Sequence, residues 1–153
     1  MNYNPETFKL ELKAIKIAGG EETVRFEAKL YINSKFAATV SNGGTGGCHD
    51  WYWQSREWEA LYNQHIEYLD KQGKFKFNFE QGDELIDEII AKREEKNLLK
   101  RWCRTQTVFI LCDMEEGEYP VIKAKYSPKI KAFLIKKYGD RLKEIVNERF
   151  LKK

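Results

Sequence analysis

Cysteine and proline are both rare in this 153-residue chain, at three residues each, and the cysteine count is odd. A disulfide scaffold is therefore excluded, and free thiols in a reducing compartment are the expectation. No run approaches 18 apolar residues, so a membrane-spanning helix is not expected. Met1 to Glu6 carries no basic patch and no apolar stretch follows, so a secretory signal is not expected. The expected location is cytoplasmic, with no membrane partner. Histidine is scarcer still, with only His49 and His65. C-x-x-C, H-E-x-x-H, G-x-S-x-G, G-x-x-x-x-G-K-[ST] and the EF-hand spacing are all missing. No catalytic residue, metal ligand or cofactor is assigned on this basis. One nucleophile–base pairing stays open on paper, Cys48 with His65. His65 borders an apolar stripe at helical spacing, which also suits a packing residue.

Hydrophobic residues at 42% and aromatics at 14% exclude wholesale disorder. The net charge of +3 hides an asymmetry. Residues 119–153 hold 11 basic and 3 acidic residues, and residues 1–118 hold 16 and 21. A basic C-terminal third fits four situations: a solvated surface, docking on the acidic body of its own chain, an acidic partner, or a phosphate backbone met by Lys129, Lys136, Lys137 and Lys143.

Period-two alternation marks the N-terminal strands. Phe8 to Ile17 alternates with a slip near Ala14 that predicts a bulge. Thr23 to Ile32 alternates cleanly, and Asn33-Ser34-Lys35 turns the chain into a third strand, Phe36 to Val40, completing an antiparallel meander. Trp58, Leu61, Tyr62, Ile66 and Leu69 predict a helix from about Ser55, stopped by Gly73. Phe75, Phe77 and Phe79 suggest a short extended segment. A helix is expected over Asp83 to Trp102, acidic at its start and basic at its end. A buried strand over Thr105 to Cys112 should pair with Val121 to Tyr126 across an acidic, solvated turn. Ser127-Pro128 starts a helix that Gly139 caps, and Asp140 is expected to open a last one with Leu142, Ile145, Val146 and Phe150 inward. The expected fold is one α+β domain over residues 1–153: a three-stranded meander plus a C-terminal hairpin, packed with three to four helices.

The segment Ser41 to Trp53 is the strongest functional candidate. Four glycines in five positions, Gly43, Gly44, Gly46 and Gly47, suit positive φ or close approach of backbone to a ligand. Their amides can form an anion nest. Asn42, Thr45 and His49 add polar groups, and Trp51 and Trp53 offer rings for stacking on a planar ligand. A mobile surface loop with the aromatics packed on the sheet, and a protein-contact loop, are the competing readings.

Several phrases carry a resemblance: Glu22-Thr23 through Phe26, Leu30-Tyr31-Ile32, Thr39-Val40-Ser41-Asn42 with the glycines that follow, and Lys137-Tyr138-Gly139-Asp140. The chain resembles a loosely defined group of small bacteriophage and mobile-element proteins of unknown function. The resemblance implies a protein made in an infected or lysogenic bacterium and directed at host proteins or host defence, and it supplies no catalytic motif. The functional expectation is a non-catalytic binding protein that meets a host protein or a small phosphate-bearing ligand through the glycine-rich loop. Nucleic-acid binding through the basic C-terminal third is the alternative.

Overall fold

The structure, a computed structural model, describes residues 2–151. It shows an α+β fold with antiparallel sheets and three α-helices. The chain divides into two compact units, Met1–Ile89 and Ile90–Lys153.

The first unit is built on a four-stranded antiparallel sheet in sequential order: β1 (Leu10–Gly19), β2 (Val24–Ile32), β3 (Lys35–Asn42) and β4 (Asp50–Trp53). The phase slip near Ala14 is a bulge: the β1–β2 register shifts between Lys13 and Lys16, and Ala14 takes φ 53°. Asn33 and Ser34 both take positive φ, the geometry that lets a two-residue hairpin follow the sheet twist. Alternation then sorts the faces. Phe26, Ala28, Leu30, Ile32, Ala38 and Val40 are buried on the inner face. Helix α1 (Arg56–Lys71) covers that face with Leu61, Tyr62 and Ile66, and its N-cap Ser55 accepts the Trp58 amide. Gly73, at φ 74°, follows its C-terminus.

The fourth strand differs from expectation. Trp51-Tyr52-Trp53 pairs with β3 rather than leading into the helix. Three consecutive aromatics give no period-two signal, so only the pairing reveals the strand. Phe75 to Phe79 forms no strand, and Phe77 and Phe79 lie exposed against one another at 5.3 Å.

Helix α2 (Gln81–Trp102) starts two residues earlier than its charge pattern suggests. In the second unit its last turns meet a three-stranded antiparallel sheet of order β6-β5-β7: β5 (Thr107–Leu111), β6 (Val121–Ile122) and β7 (Leu142–Ile145). Successive residues of a strand face opposite ways. Val108 packs with Leu99 and Val146, whereas Phe109 and Leu111 pack with Leu134 of α3 (Pro128–Tyr138) and with Ile145. The sheet is thus covered on both sides.

The expected helix after Asp140 is replaced by a 3₁₀ turn at Gly139–Arg141, the strand β7, and a second 3₁₀ turn at Val146–Phe150. Leu142, Ile145 and Val146 do carry helical spacing. The second edge of β5 instead recruits Leu142 and Ile145 into a strand, with Phe109 opposite Ile145 and Leu111 opposite Leu142, and Val146 opens the 3₁₀ turn that follows. Tertiary pairing overrides the local pattern. β6 is shorter than the expected Val121 to Tyr126 because the chain turns at once, with the Ala124 amide donating to the Ile122 carbonyl and the Ala124 carbonyl accepting the Thr107 hydroxyl. Buried Asn147 completes the sheet: its Oδ1 accepts the Val108 amide, and its Nδ2 donates to the Cys103 and Gln106 carbonyls.

Candidate binding site

The glycine-rich segment is the turn of the β3–β4 hairpin, and a strand separates it from α1. The sequence, which ends the third strand at Val40 and starts the helix at about Ser55, leaves this segment as a direct strand-to-helix connection, and β4 makes it a hairpin turn instead. Asn42, buried at the end of β3, organises it. Its Oδ1 accepts the Gly44 amide at 2.9 Å, and its Nδ2 donates to the Gly47 carbonyl at 3.2 Å and to His49 Nδ1 at 3.0 Å. Gly44, at φ 82°, packs back to back with Gly20 of the β1–β2 turn, and its carbonyl accepts the Glu22 and Thr23 amides. Gly46 and Gly47 also take positive φ, Gly43 does not, and Gly43, Thr45 and Gly47 are exposed.

The start of α2 supplies partners that the sequence pattern hid. Asp83 and Asp87 belong to the acidic start expected of this helix, and in the structure Asp83 accepts the His49 amide at 2.7 Å and Trp51 Nε1 at 2.8 Å, and Asp87 accepts His49 Nε2 at 2.7 Å. Acidic residues in a first helical turn suit the dipole regardless of any partner, which is why this second role left no mark in the sequence. The Gly44 amide, one of the donors offered for an anion nest, is thus engaged within the unit, and so is the His49 amide.

Both ring nitrogens of His49 are occupied. The Asn42 amide makes Nδ1 an acceptor, so the proton of the neutral ring sits on Nε2 and faces Asp87. Burial pulls the His49 pKa down, but the hydrogen bond and charge of Asp87, with the charges of Asp83 and Glu80, outweigh it and hold the pKa above the usual histidine value. His65 is the opposite case. It stacks on Phe8 at 4.1 Å and binds the Tyr3 hydroxyl through Nδ1, and burial lowers its pKa.

These shifts have opposite signs in stability. A raised folded pKa contributes stability that is complete below the unfolded value near 6.5 and is lost as pH rises through the folded value. A lowered one contributes stability present above that value and lost as pH falls. Melting curves of wild type against His49→Gln should therefore show the wild-type advantage shrinking as pH rises above about 6.5. Against His65→Phe the wild-type advantage should shrink as pH falls below about 6.5. Parallel curves in either comparison would contradict the corresponding shift.

Trp51 and Trp53 lie on the inner face of β4, opposite buried Val40 and Ala38, and stack on each other at 5.1 Å with planes 3° apart. Tyr62 packs against both. Tyr52, 65% exposed, is the ring that the strand presents outward.

The outer face of the same sheet carries a cleft of about 400 Å³. Lys16, Glu27, Ser41 and Asp50 stand in register across the four strands, and Arg25 pairs with Ala18 in the neighbouring row. All of them line the cleft, and Asn42 and Gly43 bring the glycine turn to its edge. Of the residues singled out in the sequence, Asn42 and Gly43 reach this cleft; Trp51 and Trp53 do not. Lys16 and Arg25 were missed because their positions read only as the wet face of a strand.

The four lysines of the C-terminal third are all exposed. Lys129, Lys136 and Lys137 lie on α3, whereas Lys143 lies on β7 and lines a cavity with Glu115, Glu116, Glu118 and Glu144. The three cysteines are free, and no metal-binding cluster of His, Cys, Asp or Glu occurs among the described residues. Among those residues no helix is long and apolar enough to cross a membrane. No family model, curated protein or solved structure matches the chain.

Proposed function

We propose that the chain is a non-catalytic binding protein that holds a small phosphate-bearing molecule in the outer cleft of the first unit. The observation that carries this reading is the meeting of two cations, Lys16 and Arg25, with the Ser41 hydroxyl and the Asn42–Gly43 turn around one cavity of about 400 Å³. A phosphate takes cations and hydroxyl donors. Glu27 and Asp50, which line the same cleft, are acceptors for sugar hydroxyls or base amino groups. The volume lies within the range of small-molecule sites. With the resemblance to bacteriophage proteins, the reading becomes sequestration of a host nucleotide or sugar phosphate in the cytoplasm. A host protein is the second reading, favoured by the exposed Phe77–Phe79 pair, since paired exposed aromatics are typical contact features.

Thermal melting with millimolar nucleotides and sugar phosphates tests the first reading. A ligand at about 100 times its Kd adds about 2.7 kcal/mol, a shift of several degrees. Lys16→Glu and Arg25→Glu, both at exposed positions, should leave the unliganded melt unchanged and abolish the shift. The reading fails when no such compound moves the wild-type melt, or when the shift survives both substitutions.

A further inference from the structure

The boundary between the units also divides the charge. Met1–Ile89 carries 10 basic and 15 acidic residues, and Ile90–Lys153 carries 17 and 9. Within the basic unit α3 stands out, with four lysines and no acidic residue over its eleven positions. Leu134 is buried and Ile130 and Tyr138 pack on the same cluster, which fixes the inner side of the helix. At 100° per residue, Lys129, Ala132 and Lys136 then occupy the centre of the outer side, with Phe133 and Lys137 on one flank. All five are exposed. Lys131 pairs with Glu148 at 3.0 Å, whereas Lys129 and Lys136 have no ion-pair partner among the described residues. Phe133 is 49% exposed, and the Lys137 ammonium stands 5.7 Å from its ring centre.

We propose that this outer face of α3 docks single-stranded nucleic acid, with Lys129, Lys136 and Lys137 on the phosphates and Phe133 stacked on a base. A flat exposed ring set among unpaired cations is the combination that single strands require, because every base offers a π-face and every nucleotide a charge. Ile135, the other large exposed apolar residue of the helix, lies on the far flank from Phe133. The two do not merge into the continuous apolar stripe that insertion into a lipid surface needs. The charge separation points the same way, since a face with cations at its centre and no acid of its own is matched by a polyanion.

Fluorescence anisotropy of the full chain with a labelled single-stranded oligonucleotide tests this. Three phosphate contacts give a slope of log affinity against log salt of about −2, so binding should weaken about 20-fold between 50 and 200 mM salt. The double variant Lys129→Glu, Lys136→Glu should bind at least tenfold more weakly at 50 mM and show a shallower slope. Phe133→Ala should weaken single-strand binding while leaving the slope unchanged, and the duplex of the same sequence should bind less well than the single strand. All three positions are exposed, so the variants should melt as wild type does. The proposal is overturned by absence of binding at 50 mM salt, by wild-type affinity in the double lysine variant, or by an unchanged affinity in Phe133→Ala. Equal competition by polyglutamate and by oligonucleotide at matched charge would also overturn it, in favour of an acidic protein partner.

Discussion

Gly44→Ala is expected to cost about 2–5 kcal/mol, the sum of a left-handed backbone forced on a residue with a side chain and an overpacked contact. Gly43→Ala, one residue earlier, is expected to be nearly neutral. At Gly44, φ is 82° and an added Cβ would stand 2.6 Å from the Gly20 Cα and 3.0 Å from the Thr23 carbonyl oxygen, both backbone atoms that cannot swing aside. At Gly43 an added Cβ meets nothing within 4 Å. Gly20 faces the same contact from the other turn, where a Cβ would lie 2.1 Å from the Thr23 oxygen. Gly20→Ala should therefore be comparably severe, and the double variant should cost less than the sum, because one contact is lost only once. Urea unfolding of the four proteins decides the matter. Equal stabilities for Gly43→Ala and Gly44→Ala would show that the turns do not pack as described.

The second large effect concerns Trp53. Its ring stacks on Trp51 and packs at a tilt against Tyr62, and both neighbours are anchored, Trp51 Nε1 donating to Asp83 and the Tyr62 hydroxyl donating to the Gly82 carbonyl at 2.7 Å. Trp53→Ala should lower stability by about 3 kcal/mol, the low end for a core tryptophan because the ring is only partly buried. Tyr52→Ala, on the exposed side of the same strand, should change stability by less than about 0.5 kcal/mol. The nucleotide-induced melting shift proposed for the outer cleft should survive Trp53→Ala, since the two lie on opposite faces of the sheet. Loss of that shift with stability intact would return Trp53 to a recognition role.

The parts of the fold visible in the sequence are those whose signal is local. The meander, the bulge at Ala14, the Ser55 and Ser127 caps and the stop at Gly139 each follow from alternation, from turn chemistry or from a single capping residue. β4 and β7 were hidden because each is four residues long and owes its existence to a neighbouring strand edge. The importance of the glycine turn was legible, but its wiring was not. The link from Asn42 through His49 to Asp87 spans 45 positions, and nothing local marks an acid on a helix start as the partner of a distant imidazole. The cleft escaped for a related reason: Lys16, Glu27, Ser41 and Asp50 come from four strands and become a row only when the registers are known.

The side chain of Asn147 sets an order of events in folding. The first unit is a ladder of hairpins, each closing between consecutive strands, so it can zip up stepwise at small entropic cost per step. The central strand of the second unit has no such shortcut. The Val108 amide finds its acceptor 39 residues away on Asn147, and the carbonyls of Gln106 and Cys103 find their donor, the same side chain, 41 and 44 residues away. Until that loop closes, β5 and the segment leading into it keep three unmet backbone groups, and β5 keeps one bare edge. Strand pairing that is local in the first unit and distant in the second makes the N-terminal sheet the faster one to form, with the arrival of Asn147 as the late, cooperative step that completes the basic unit.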